Sequence, residues 1–362
     1  MCNTLQGGFF LQLKPVGSRC NIRCDYCYVK PFRKRGDKRV MSQEVLERAI
    51  SDCVYDNDLP IITWHGGEPT FAGLGFFIKA MEIAHSCAGD KPCRNILQTN
   101  AILIDREFAA FLKESGFEVS VSLDGPREVH GIHRKCRGRN TFNKVMRGIS
   151  NLREAGIEPA VIATITQESL PFAEEIFGFF AAEGFRNLKF NAVYDSSSDQ
   201  FNISPDQWLD FLERIFAAWL NLGDSDIAVR EIDEVISWIQ GSNLPLCSNE
   251  STCLSWVSVD PDGELYPCEY LRSLAPYGNI REMALAEIRA TEGFAHLQSM
   301  FESFPRECRE CEFLSRCGNG CPATRIRDGK LSPDGIFVYC KERKGLFQHV
   351  RGAFDKIMQE GE

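Results

Sequence analysis

Four cysteines at 308, 311, 317 and 321, spaced C-x2-C-x5-C-x3-C, constrain this chain more than any other feature. With 16 cysteines in 362 residues, the spacing arises by chance only about 0.001 times per chain. Thiols so close together either pair as disulfides or bind metal. Disulfide scaffolds are usually short, exported chains. Residues Met1–Phe10 lack the basic and apolar regions of a signal peptide, which implies a cytoplasmic protein whose thiols stay reduced. Metal is therefore the expected use. The rest of segment 245–342 agrees. Cys253 is followed by nine residues, Gly263, four residues and Cys268, and with Cys247 and Cys340 the segment holds eight cysteines. It should have sparse regular structure, held together by metal.

The first half has another pattern. Short runs rich in Ile, Val and Phe (9–14, 61–66, 94–99, 118–124, 160–166 and 188–193) alternate with helical patterns at 42–54, 74–86, 105–115, 141–155 and 171–183. Repeated strand–helix units predict an α/β fold with a parallel sheet and right-handed crossovers. Six units are fewer than the eight of a complete barrel. Ser204-Pro205 supplies an N-cap and a first-turn proline for a helix to about 222, and a second helical pattern covers 229–240. The expected organisation is a partial barrel over 1–200, a helical linker region over 201–244, the cysteine-rich domain over 245–342 and a C-terminal helix over 343–362. The net charge of −9 argues against nucleic-acid binding, which needs Lys and Arg against phosphate. No apolar run approaches the roughly 20 residues of a membrane span.

Three motifs stand at strand ends, where βα folds place their active sites. Cys20, Cys24 and Cys27 form C-x3-C-x2-C after the first strand. Three thiolates can hold three irons of a cubane and leave the fourth open; the competing reading is zinc, which prefers a closed set of four ligands. Trp64-His65-Gly66-Gly67-Glu68-Pro69 follows the second strand, and Ser120-Val-Ser122-Leu-Asp124-Gly125-Pro126, with His133-Arg134 close behind, ends the fourth. Alone, each of these two also suits an ordinary turn.

Together and in this order, the three motifs resemble the radical S-adenosylmethionine (radical SAM) superfamily. The resemblance implies a partial (β/α)6 TIM-like barrel and a [4Fe–4S] cluster on Cys20, Cys24 and Cys27, whose open iron chelates S-adenosylmethionine. It places Tyr26 by the adenine, Gly66, Gly67 and Glu68 at the methionyl amine, and Ser122 and Arg134 towards the ribose and carboxylate. Gln98-Thr99-Asn100 also matches and adds Asn100, although Ala101 stands where the family often has Gly. The C-terminal cysteines resemble the SPASM domain, which carries two auxiliary [4Fe–4S] clusters. By that resemblance Cys247, Cys253, Cys268 and Cys321 hold one, and Cys308, Cys311, Cys317 and Cys340 the other. Cys2, Cys53, Cys87, Cys93 and Cys136 receive no role; buried free thiols behave as small hydrophobes.

The layout is similar to the anaerobic sulfatase-maturating enzymes, which oxidise Cys or Ser of a sulfatase to formylglycine. Gly278-Asn279-Ile280 and the helix start at Ile104-Asp105 are part of that match. Two positions depart: His65 stands where those enzymes usually carry Gln, and Glu269, next to Cys268, where they usually carry a catalytic Asp. These departures lead to the expectation of an oxidoreductase that modifies another peptide or protein, of the ribosomal-peptide maturase type, although there is no room before the first strand for the peptide-binding module many of those carry. The second reading is a sulfatase maturase; a third, from another class, is a non-catalytic zinc or iron–sulfur regulator. In the first two, a 5′-deoxyadenosyl radical takes hydrogen from the substrate side chain, Glu269 is the candidate base beside His65, and the auxiliary clusters accept an electron. The implied partners are a peptide or protein substrate and a low-potential donor such as flavodoxin or ferredoxin.

Overall fold

Alternation of buried apolar with half-buried polar residues builds the strands of this protein. A computed structural model describes residues 7–33, 36–193, 201–242, 252–327 and 329–360. Its main sheet has ten strands, here β1 (Phe10–Leu13), β2 (Ile61–Trp64), β3 (Arg94–Thr99), β4 (Glu118–Ser122), β5 (Ala160–Ile165), β6 (Asn187–Ala192), β7 (Ala228–Val229), β8 (Trp256–Val259), β9 (Glu264–Tyr266) and β10 (Gly278–Asn279). The spatial order is β7-β6-β5-β4-β3-β2-β1-β8-β9-β10. Strands β1 to β6 are thus parallel neighbours in chain order, as six βα units require. On one face Leu11, Leu13, Ile62, Trp64, Leu97, Val121 and Val161 are buried beneath the connecting helices. On the other, Gln12, Thr63, Gln98, Ser120, Ser122, Thr164 and Lys189 are only half-buried. A period of two places these polar residues together, beside the half-buried Ile61, Ile96 and Ile162 of the same face, so the inner face is not a wholly apolar filling.

The helices lie close to their expected positions: Gln43–Asp56, Leu74–Ala88, Arg106–Glu114, Phe142–Glu154, Ala173–Ala182, Pro205–Leu222 and Arg230–Ile239. The Ser204 cap is a full capping box, with the Gln207 side chain reaching back to the Ser204 amide. The C-terminal helix begins at Cys340, three residues before the expected start, and runs to Glu360. It packs on Pro205–Leu222 and Arg230–Ile239, with Trp238 stacked on Phe347 at 5.2 Å.

The cysteine-rich segment is more regular than its composition implies. Strand β8 pairs in parallel with β1, and β9 and β10 extend the sheet antiparallel. The outer edge of β1 is thereby covered, and residues from both sides of the expected boundary near 245 share one sheet. A second, small sheet pairs Arg23–Cys24 with Arg134–Cys136, and that strand with Arg139–Asn140. It has no hydrophobic period to betray it, yet it ties the first cysteine loop to Arg134.

Candidate active site

The loop after β1 carries Cys20, Cys24 and Cys27, and the glycines after β2 hold it in place. A Cβ on Gly67 would stand 1.8 Å from the Arg19 carbonyl oxygen, and one on Gly66, whose φ is +108°, would stand 2.7 Å from the Gly17 carbonyl oxygen. The Gly67 amide donates to the Gly17 carbonyl and the Glu68 amide to that of Arg19, each at 2.8 Å. Only glycine permits this approach. Glu68 is 1% exposed. Its Oε1 accepts from the Thr70 amide (3.2 Å) and from the Thr70 and Thr99 hydroxyls (2.6 and 2.7 Å), and its Oε2 from the Asn100 amide at 2.7 Å. Most of this carboxylate therefore fastens the ends of β2 and β3 together, and Oε2 retains one acceptor position. The Asn100 amide group donates to Asn21 Oδ1 (2.7 Å) and lies 3.7 Å from Cys20 Sγ. The other two sulfurs face guanidinium groups: Arg33 lies 3.3 Å from Cys27, and Arg134 lies 3.9 Å from Cys24. Burial pushes the Cys20 and Cys24 thiols up to about 12.

Asp124 organises the third motif. It accepts from the Tyr26 hydroxyl (2.6 Å), from Arg134 Nε (2.8 Å) and from the Thr164 amide (3.0 Å), and Arg134 lies over the Tyr26 ring. The expected cofactor residues Tyr26 and Arg134 are thus fixed by one carboxylate. Ser122 is half-buried on the inner face of β4.

His65 and Glu269 are linked through Lys14, a residue that sequence reasoning missed. Lys14, at the end of β1, is 1% exposed and Glu269 5% exposed. They form a buried ion pair, and Lys14 also donates to the Tyr266 hydroxyl at 2.9 Å. Tyr266 in turn donates to Asp260 (2.6 Å), which pairs with Arg272; Arg272 reaches Glu269 Oε1 at 3.4 Å. Burial, reinforced by the Lys14 charge, lowers the His65 pKa to about 4, so its imidazole is neutral at neutral pH. Its side chain bonds Gln98, while Nδ1 is buried with no partner among the described residues. Tyr28 joins the two halves. It stacks on Tyr270 at 5.1 Å, and lies within electrostatic reach of Cys27, Glu269 and Cys268.

In the C-terminal region, Cys308, Cys311, Cys317 and Cys340 line one cavity with about 450 Å³ of space unfilled by protein atoms. Arg343 Nη1 lies 3.7 Å from Cys317, and Lys344 hydrogen-bonds Cys311. Cys253 and Cys268 both lie within electrostatic reach of the Tyr277 hydroxyl. Cys247 lies outside the described residues. Among the described residues no three His, Cys, Asp or Glu side chains converge as ligands of a single metal ion; a cubane takes more widely spaced thiolates. Of the unassigned cysteines, Cys53 is buried in the core and its thiol is raised to about 12 by burial. Cys87 is exposed, Cys93 is half-buried, and Cys136 donates to the Asn21 carbonyl in the first cysteine loop. Cys2 lies outside the described residues. Lys14 and Arg33 had no motif to signal them; Asp124 stood inside one, and its value shows only through its three partners.

Comparison with known proteins gives the family. Residues 15–167 match the radical SAM superfamily, and 247–312 an iron–sulfur cluster-binding domain of the SPASM type. A serine-type anaerobic sulfatase-maturating enzyme of Bacteroides thetaiotaomicron is 29% identical, over 97% of this chain and 91% of the relative. A cysteine-type enzyme of Clostridium perfringens is 30% identical, over 94% and 95%. The solved structure of native anSMEcpe with bound AdoMet and Kp18Cys peptide superposes with a TM-score of 0.85 at 28% identity, covering 97% of this chain and 99% of that one. These relatives favour the sulfatase-maturase reading over the ribosomal-peptide reading that the two departures suggested. Among the described residues no helix is long and apolar enough to cross a membrane.

Proposed function

This chain belongs to the anaerobic sulfatase-maturating family of radical SAM enzymes with a SPASM domain, and from that premise we propose that it oxidises a Cys or Ser side chain of a sulfatase-type protein to formylglycine. The observation that carries the reading is end-to-end similarity to maturases of both the cysteine and the serine type. The two domains imply [4Fe–4S] clusters and S-adenosylmethionine, and the donor set suits them. Three thiols each face a polar or cationic group, and four more line a cavity with two cations at its rim. Cys20, Cys24 and Cys27 would hold the first cluster; Tyr26, Gly66, Gly67, Glu68, Asn100, Ser122 and Arg134 would hold S-adenosylmethionine. Cys247, Cys253, Cys268 and Cys321, and Cys308, Cys311, Cys317 and Cys340, would hold the auxiliary pair. When bound, these groups supply the radical that removes a hydrogen atom from the substrate carbon and the acceptor for the electron that must then leave.

The chain's own residues position the target and take its proton. Glu269, next to the ligand Cys268, accepts that proton at its carboxylate. Lys14 and Arg272 hold the carboxylate in one place, which matters because a displacement of about 1 Å can cost two orders of magnitude in rate. Glu reaches one methylene further than Asp, and the Lys14 ion pair anchors that longer arm. Neutral His65 offers Nδ1 to the substrate. A low-potential donor such as flavodoxin or ferredoxin completes the proposal. The test is a sulfatase-type peptide containing Cys-x-Pro-x-Arg, with its Ser counterpart, incubated under reducing conditions with S-adenosylmethionine and read by mass. Formylglycine in either peptide is expected. Absence of formylglycine with continued 5′-deoxyadenosine release would return the assignment to another peptide substrate, which the departures at His65 and Glu269 favour.

A further inference from the structure

Arg325 follows Cys321 by four residues and is 1% exposed, one of the largest fully buried side chains of the protein. Among the described residues only Nη1 of its guanidinium is partnered, to the Met300 carbonyl at 2.9 Å, and the guanidinium lies over the Phe301 ring at 5.6 Å. Nε and Nη2 are buried with no hydrogen-bond partner among the described residues. A buried cation with two idle donors is costly unless an anion meets it. The charges that act on it most are cysteines: Cys321 first, then Cys308, Cys253 and Cys317. Cys253 and Cys321 belong to one proposed auxiliary set, Cys308 and Cys317 to the other, so both sets lie within electrostatic reach of the guanidinium. Four thiolates around a cubane leave about two negative charges when oxidised and about three when reduced.

We propose that Arg325 is a positioning residue for the auxiliary clusters: its Nε–H and Nη2–H are held for the cluster that the Cys253/Cys321 set would bind, and its charge would stabilise the reduced form and so raise that cluster's reduction potential. Charge and hydrogen bonds to sulfur are the levers that set such potentials. The Cys308 set has cations of its own in Arg343 and Lys344, so loss of Arg325 falls mainly on the first set. The inference rests on the proposed ligand sets and is independent of the substrate.

The test uses the full chain with Cys20, Cys24 and Cys27 changed to Ala, reconstituted anaerobically, so that only auxiliary clusters report. Iron content and a potentiometric titration read by electron paramagnetic resonance are compared for Arg325, Arg325→Lys and Arg325→Gln. The parent should hold about eight irons; a parent without them overturns the ligand sets themselves. With iron retained, Arg325→Gln should shift the oxidised-to-reduced ratio of one cluster at fixed potential at least tenfold towards oxidised, about 59 mV for one electron. Arg325→Lys, which keeps the charge and loses the fork, should shift it about threefold. Full iron with a Gln variant within twofold of the parent overturns the proposal. If Gln loses iron, Lys decides: about threefold supports the proposal, and a ratio within twofold of the parent overturns it.

Discussion

Replacing Lys14 by Met removes one partner of a buried ion pair and leaves Glu269 in place. Both side chains are almost fully enclosed, at 1% and 5% exposure. Breaking such a pair from one side costs about 3–5 kcal/mol, because the remaining charge stays buried. Here Arg272 still approaches Oε1 at 3.4 Å and the Tyr266 hydroxyl lies 3.5 Å from Oε2, so the expected loss is lower, about 2–3 kcal/mol. Glu269→Gln should cost about the same, since among the described residues it leaves the ammonium neutral acceptors in place of the carboxylate, the Gln amide oxygen and the Tyr266 hydroxyl. The double variant removes both charges, and its loss should be well below the sum, with a coupling of at least about 1.5 kcal/mol. Denaturant midpoints of the four proteins, compared at equal slope with clusters intact, measure this. Losses that add to within about 0.5 kcal/mol would refute the ion pair as the device that holds Glu269. In the activity assay, Lys14→Met should continue to release 5′-deoxyadenosine while product falls, because the proton acceptor has lost its anchor.

Two further outcomes follow from backbone geometry. Gly67→Ala places a Cβ 1.8 Å from the Arg19 carbonyl oxygen, so the loop bearing Cys20 must move; reconstituted iron should fall from about twelve towards about eight per chain, and unchanged iron would contradict the close-packing argument. Ala101 sits at φ +58°, where a Cβ costs about 1–2 kcal/mol; Ala101→Gly, after the entropy that glycine adds to the unfolded chain, should raise stability by about 0.5–1 kcal/mol, and a fall in the thermal midpoint would oppose it.

The sequence alone carried the parts of this protein that are local. Cysteine spacing identified the metal-bearing segments, and hydrophobic period placed the six βα units because each strand and helix repeats its own pattern over several residues. Ser204 and Pro205 marked a helix start through hydrogen bonds made within four residues. Family likeness put names to Glu68, Arg134 and Glu269, and the two departures at His65 and Glu269 drew the substrate reading away from the sulfatase-maturase reading that the relatives favour. What the tertiary structure decided is long-range. Strand β8 joins β1 across 246 residues, from Phe10 to Trp256, and the pairing of Cys24 with Arg134 rests on strands two and three residues long. Lys14, Arg33 and Arg325 are ordinary basic residues in the sequence. Folding buries Lys14 against the Glu269 carboxylate, brings Arg33 to Cys27 and encloses Arg325, and the cost of an unpaired charge in a low-dielectric interior makes a partner necessary for the buried ones.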